Sequence, residues 1–298
     1  MKKKCIGLLG ASGNYKKINL DEINNILSFA LKNYDLIDIS TDYGIEYNLV
    51  SLIKNFDFSQ LSSKLIYKVG CNLYENYDPS ELLTNTIVDI NSIGLKGFDC
   101  ILFHRPSLKK LESDRKFFNM MKTEYPTISF GICTNSVEIY DLYKKNIQVN
   151  EVQFALNPLD YLSNVPLLNK LIKDKVSMQP RSVLSNGLLS GKYNSDSFFD
   201  DPLRRRLNEH HNREKFLNRI NMSNSITEYL KKEYKLSSKQ IPIFLYSLFE
   251  SIENVKCVVK GGSSIDQIKE NLKSFMIAGS EQKKLFDLMN TTWSCEYV

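Results

Sequence analysis

The first constraints on this sequence come from what it lacks. Its six cysteines contain no C-x-x-C pair, no stretch approaches the roughly 20 apolar residues of a membrane span, and there are only three histidines. Without paired or zinc-spaced cysteines, a disulfide scaffold and a zinc ribbon are excluded. The basic start, Met1-Lys-Lys-Lys, is followed by an apolar run only from Cys5 to Leu9, too short for the core of a secretion signal. No low-complexity linker divides the chain. Its 298 residues, 42% of them hydrophobic, are therefore expected to form one domain, 1–298.

Charge of one sign is nowhere concentrated. The net charge is +5, but basic residues are interleaved with acids, as in Lys231-Lys-Glu and Lys269-Glu. The densest cluster, Arg204-Arg-Arg206, stands beside Asp200-Asp201 and Glu209 and reads as a solvated loop, so no nucleic-acid partner is expected. Cys5, Cys100 and Cys257 sit in apolar, strand-like runs, where a reduced cysteine acts as a small hydrophobe. A reducing cytoplasm is the expected location.

What is present is an alternation of short apolar runs and amphipathic stretches. Strands are expected at 4–9, 34–39, 64–69, 98–103, 127–132, 151–155, 176–183 and 256–259. Helices are expected at 21–32, 46–56, 79–93, 108–124, 136–145, 162–173, 214–233, 241–252, 265–275 and 281–289, with a polar break at 194–213. Eight alternations point to a (β/α)8 TIM barrel, with a doubly wound open sheet as the alternative. In a barrel, function gathers at the C-terminal ends of the strands.

Three consecutive strand ends carry proton-handling groups. The second delivers Asp38 and Tyr43, with Gly44 behind them; the third delivers Lys68; the fourth delivers His104. A tyrosine titrates near pH 10, too high for an efficient acid unless helped. An ammonium group favours the phenolate, and a carboxylate would hold that ammonium charged and aimed. A neutral imidazole both donates and accepts. Taken singly, the aspartate reads as a cap, the tyrosine as packing and the lysine as a solvated charge. Together on neighbouring strand ends they read as a site. His210 and His211 fall in the polar break and read as surface residues. A second chemistry, with Lys68 as the nucleophile of a Schiff-base lyase, would leave Asp38 and Tyr43 unexplained.

These residues also carry a resemblance. Asp38-x4-Tyr43-Gly44-x-Glu46, then Ile66-Tyr-Lys68-Val-Gly70, then Cys100-Ile-Leu-Phe-His104-Arg-Pro106 resembles the catalytic signature of the aldo-keto reductases. It continues through Phe130-Gly-Ile-Cys-Thr-Asn135, Val152-Gln153-Phe-Ala-Leu-Asn157 and the run from Arg181 to Tyr193. It ends in the run from Val258 to Asn271, so nearly the whole chain is covered.

The resemblance implies an NADPH-dependent oxidoreductase, with NADH as the alternative cofactor, reducing an aldehyde or ketone. In that reading Tyr43 donates the proton, Lys68 lowers its pKa, Asp38 pairs with Lys68 and His104 orients the carbonyl. Cys133 and Thr134, or Thr134 and Asn135 after a one-residue slide, would hold the carboxamide with Gln153. Arg181 stands where an aromatic residue normally stacks on the nicotinamide, and Ser182 follows it. Gly187, Gly191 and Lys192 match the pyrophosphate loop; Gly261, Ser263, Gln267, Glu270 and Asn271 match the adenosine positions. The Arg181-Ser182 pair resembles a bacterial subgroup associated with surface-sugar or nucleotide-sugar pathways. With little chain after Trp293, an open mouth for a sugar-like carbonyl is expected. The second implied reading is a cofactor-sensing regulatory subunit with little turnover.

Overall fold

The computed structural model describes residues 2–70 and 77–293. The first half of the chain alternates β1 (Cys5–Gly7), α1 (Leu20–Asn33), β2 (Leu36–Ser40), α2 (Leu49–Ile53), β3 (Lys64–Val69), α3 (Pro79–Ile93), β4 (Phe98–Phe103) and α4 (Leu111–Glu124). The second half continues with β5 (Ser129–Cys133), α5 (Val137–Asn146), β6 (Glu151–Ala155), α6 (Tyr161–Lys173) and β7 (Ser177–Arg181). After a long loop come α7 (His210–Tyr234), α8 (Ile241–Glu250), β8 (Val259–Gly261), α9 (Ile265–Glu270) and α10 (Gly279–Thr291).

Strands β1 to β7 pair in parallel in chain order, and β8 pairs with β1. The ring closes at Met178, whose N–H donates to Asn254 O at 2.9 Å and whose carbonyl accepts from Lys256 N–H at 2.9 Å. The next rung of that parallel ladder needs an N–H from Pro180, which has none, so the seam is a single bridge. The closed ring decides for the (β/α)8 barrel over the open sheet.

The period-2 alternation of each strand separates two cores. Outward residues such as Ile37, Ile39, Leu65 and Tyr67 pack beneath the helices in the larger cluster. Inward residues Cys5, Leu36, Ile66, Cys100, Leu102, Cys133, Cys257 and Val259 fill the barrel. Half of that interior plug is cysteine, all four free and buried; Cys71 and Cys295 lie outside the described residues. The same alternation turns Asp38 and Ser40 of β2 and Lys68 of β3 inward.

Several elements differ from expectation. The strand expected at 4–9 stops at Gly7, where Leu8–Ala11 turns into a 3-10 helix, and the helix expected at 265–275 stops at Glu270. The helix expected at 46–56 shrinks to α2, because Asn48 caps it by accepting from Ser51 N–H at 3.0 Å and leaves 44–48 as loop. The strand expected at 256–259 begins only at Val259, since Lys256 serves the one-bridge seam instead.

Candidate active site

The site is built around the buried ammonium of Lys68. Its three N–H groups meet three acceptors: Asp38 Oδ1 at 2.6 Å, Tyr43 Oη at 2.8 Å and Gln153 Oε1 at 3.5 Å. Lys68 and Asp38 are each only 2% exposed. Tyr43 reaches the cluster from the turn after β2, where its N–H donates to Ser40 O at 3.1 Å. Gly44 makes that turn possible. Its φ is +118°, and a Cβ there would lie 1.8 Å from Tyr47 O.

Burial and charge oppose one another here. Burial works against the Lys68 ammonium, but Asp38 and Tyr43 outweigh it and the pKa is raised. Lys68 is thereby kept charged, which removes it as an amine nucleophile. For Tyr43, burial is the largest influence; Lys68 pulls the other way, and the phenol is pushed up to about 12. The expected lowering by Lys68 exists as one contribution and is overruled by burial. Tyr43 is held protonated beside a positive charge that stabilises its anion once the proton has left.

His104 follows β4, and its N–H donates to Val69 O at 2.8 Å. Its ring lies edge-on to Tyr43, with centroids 6.1 Å apart. Nδ1 is 2.9 Å from Ser40 Oγ and 3.7 Å from Asp42 Oδ1. Burial pushes the His104 pKa down; Lys68 adds to this, while Asp42 and Asp38 oppose it. The side chains of His210 and His211 lie outside the described residues, although His210 opens α7.

Below the cluster, a chain of hydrogen bonds runs down the barrel interior. The Gln153 amide donates to Asp38 Oδ2 at 2.7 Å and to Gln179 Oε1 at 3.3 Å. Gln179 in turn donates to Glu151, which is paired with Lys256 at 2.8 Å. Gln153 and Gln179 are fully buried. Their amide orientations follow from the ends: an ammonium above can only donate, and a carboxylate below can only accept. Gln179, Glu151, Ser40 and Asp42 were not singled out from sequence. Gln179, Glu151 and Ser40 are polar residues on strands, and Asp42 lies in the turn after β2.

The other half of the rim is made of loops. Cys133 lies beside Gln153, its Sγ 3.8 Å from Oε1; burial pushes its thiol up to about 12 against the pull of Lys68 and Arg181. Thr134 Oγ1 accepts from Ser136 N–H at 3.1 Å. The Asn135 amide is committed to Asn164 at 2.6 Å and to the Ala155 backbone at 3.0 Å and 3.1 Å. Of the two registers left open, the one using Cys133 and Thr134 therefore keeps the freer groups. Arg181 ends β7 and donates to Ser182 Oγ at 3.2 Å.

The loop after β7 is wound tightly: Ser182, Ser185, Asn186, Gly187 and Gly191 all have positive φ. The N–H groups of Gly187, Leu188, Leu189 and Ser190 are spent on carbonyls within it. Gly191 and Lys192 are exposed at its tip. Arg204 closes over this loop. Contrary to the expectation of a solvated cluster, its side chain is 13% exposed, bonded to Asp201 at 2.9 Å and stacked on Tyr15, Tyr193 and Phe199. Three aromatic faces and a carboxylate hold it out of water.

Beyond β8, Ser263 N–H donates to Gln267 Oε1 at 2.8 Å, and Asn271 donates to Gly261 O at 2.9 Å. Glu270 pairs with Lys273 at 2.7 Å. The structure thus brings Asp38, Tyr43, Lys68, Gln153 and Cys133 into one cluster with His104 beside it. It leaves Ser182, Gly187, Gly191, Lys192, Gly261, Ser263, Gln267, Glu270 and Asn271 on separate loops of the same rim. Lys192, exposed at the tip of a glycine-bearing loop, is a cation of the kind that fits a dinucleotide diphosphate.

Comparison with known proteins agrees with this architecture. The model of the Aldo/keto reductase family matches residues 5–284. Among curated proteins, none matches the sequence. In fold, the chain is similar to the glycerol dehydrogenase AKR11B4 of Gluconobacter oxydans, at 16% identity and TM-score 0.74, over 99% of this chain and 94% of that one. It is also similar to the holo form of aldo-keto reductase AKR11C1 of Bacillus halodurans, at 16% identity and TM-score 0.69, over 96% and 91% of the two chains. An aldo/keto reductase of Brucella melitensis gives 18% identity and TM-score 0.61, over 95% and 93%. No helix of the described residues is long and apolar enough to cross a membrane.

Proposed function

Because the chain belongs to the aldo/keto reductase family, we propose that it reduces an aldehyde or ketone to an alcohol with NADPH, Tyr43 giving the proton. Family membership makes it an oxidoreductase of small carbonyl compounds that uses a nicotinamide cofactor. The assignment of roles to its own residues is our reading. The observation that carries it is the Tyr43 hydroxyl, 2.8 Å from an ammonium that Asp38 holds charged and in place.

Tyr43 donates its proton to the carbonyl oxygen as negative charge develops there. The resulting phenolate faces Lys68, so the charge moves next to a cation already in position and little reorganisation is needed. Asp38 fixes Lys68, and Gln153 fixes Asp38. His104 orients the substrate beside Tyr43. When bound, the nicotinamide supplies the hydride. Cys133, Thr134, Arg181 and Ser182 would flank its ring. Gly187, Gly191 and Lys192 would meet its diphosphate, and Gly261, Ser263, Gln267, Glu270 and Asn271 its adenosine. Gln267 is a neutral amide whose oxygen is already tied to Ser263, so it offers a 2′-phosphate no charged partner, and NADPH is placed ahead of NADH on the family resemblance alone.

The test is steady-state oxidation of NADPH and of NADH against a panel of aldehydes, ketones and sugar carbonyls. Turnover with at least one carbonyl is expected. Cofactor binding, read by fluorescence, without turnover on any of them would favour the cofactor-sensing reading instead.

A further inference from the structure

The loop after β7 holds a shape that its own residues disfavour. Ser182, Ser185 and Asn186 have φ of +57°, +46° and +55°, in the left-handed region where a Cβ crowds the backbone. Residues other than glycine stay there only where their surroundings impose it. Part of what imposes it is α7. One face of that helix carries Phe216, Arg219, Ile220 and Ser223, at helical spacing. Phe216, Ile220 and Ser223 are buried. Arg219 Nη2 donates to Ser185 Oγ at 2.6 Å, and Ser223 Oγ donates to Leu188 O at 2.8 Å.

The same guanidinium is held by a carboxylate. Nη1 donates to Asp160 Oδ1 at 2.6 Å and Nη2 to Asp160 Oδ2 at 3.0 Å. Asp160 lies in the turn after β6 and is itself fixed there. Its Oδ2 accepts from Asn157 Nδ2 at 2.9 Å, and its N–H donates to Asn157 Oδ1 at 3.1 Å. Two parallel bonds set the plane of the fork as well as its place, which a single ammonium could not do. Arg219 thus ties together α7, the turn after β6 and the loop after β7. Asp160 balances its charge, so what Arg219 supplies to the loop is position.

We infer that Arg219 is a positioning residue for cofactor binding, through which α7 braces the loop from Ser182 to Gly191 in the shape that receives a dinucleotide diphosphate. The inference rests on the reductase reading above, in which Gly187, Gly191 and Lys192 meet that diphosphate. A braced loop is already ordered when the cofactor arrives. An unbraced one must be ordered during binding, and the affinity falls by that cost. Arg219 acts through the loop, so it governs how tightly the cofactor is held rather than proton transfer at Tyr43.

Three variants test this, each read by NADPH fluorescence titration, by kcat at saturating NADPH and by hydrogen exchange without cofactor. In Arg219→Met the dissociation constant of NADPH is expected to rise about tenfold, with kcat kept within about threefold. Amides from Leu184 to Ser190 should exchange about tenfold faster, and those of β3 and β4 at their usual rate. Ser185→Ala keeps the Arg219–Asp160 pair and removes only the acceptor on the loop. It should weaken NADPH binding in the same direction, and it serves alone if Arg219→Met does not fold. Arg219→Lys keeps the charge without the fork and should behave like Arg219→Met. Full affinity in Arg219→Lys would assign the effect to charge and overturn the positioning role. Unchanged affinity in Ser185→Ala, or exchange that quickens evenly across the protein, would overturn it too. If the unaltered protein binds neither NADPH nor NADH, the reductase reading itself fails. Exchange of the 184–190 amides then still decides whether α7 holds the loop, and unchanged rates in Ser185→Ala overturn the brace.

Discussion

The two halves of the barrel rim are held together in different ways. At the ends of β2, β3 and β4, polar side chains are tied to one another: Lys68 to Asp38, Tyr43 and Gln153, and His104 to Ser40. At the ends of β7 and β8, polar groups are tied mostly to their own loops: Arg181 to Ser182, Ser263 to Gln267, Asn271 to Gly261. The first half is buried and cross-linked through strands distant in sequence. The second half consists of local turns. Under the proposed function, the difference separates a proton-transfer apparatus fixed by the barrel interior from a cofactor surface that loops can adjust.

The sharpest way to break that comparison is to remove its central charge. Lys68→Met leaves Asp38 buried without its partner, and unfolding free energy should fall by about 3–5 kcal/mol. The same substitution should lower kcat by roughly 100- to 1000-fold. Denaturant unfolding and steady-state kinetics read the two effects; unchanged stability would mean that the pair is not buried in solution. Next comes the interior chain beneath it. Gln179→Leu strands one N–H of Gln153 and leaves Glu151 Oε2 with Lys256 alone, at 3.0 Å, at a cost of about 1–3 kcal/mol. A denaturation midpoint equal to that of the unaltered protein would show that Gln153 needs no support from below.

On the loop half, smaller and different effects are expected. Arg181→Tyr should change the dissociation constant of the cofactor severalfold, with stability kept within about 0.5 kcal/mol, as for a partly exposed side chain away from the core. Fluorescence titration checks it, and identical affinity would remove Arg181 from the nicotinamide position. The smallest effect expected is none. Reduction requires the protonated phenol, and burial pushes Tyr43 up to about 12. The acid form therefore persists as pH rises, and kcat should show no alkaline loss from Tyr43 between about pH 7 and pH 10. A fall centred near pH 8 would show Lys68 prevailing over burial.

Legibility in the sequence follows the same division. β3, α3, β4 and β6 were readable to the residue, because each is a compact run with a clear stop; Asp78 accepting from Ser80 N–H, with Pro79 at the first turn, marks the start of α3. Asp38, Tyr43, Lys68 and His104 stood out as polar residues at strand ends. Gln179 and Glu151 did not, because only the closed ring shows that their positions face inward. Ser40 and Asp42 lay within the opening motif, but a serine at a strand end carries no signal until His104 is seen beside it. The depth of Arg204 was hidden too, since its three aromatic neighbours, Tyr15, Tyr193 and Phe199, come from separate stretches of chain.

The central claim is that the proton comes from Tyr43 while the cofactor is held elsewhere. The most direct test is Tyr43→Phe, measuring carbonyl turnover and cofactor affinity on the same preparation. The account predicts a loss of about 10²- to 10⁴-fold in kcat with the cofactor dissociation constant nearly unchanged. Turnover close to that of the unaltered protein, or a loss of cofactor binding that explains the loss of turnover, would contradict it.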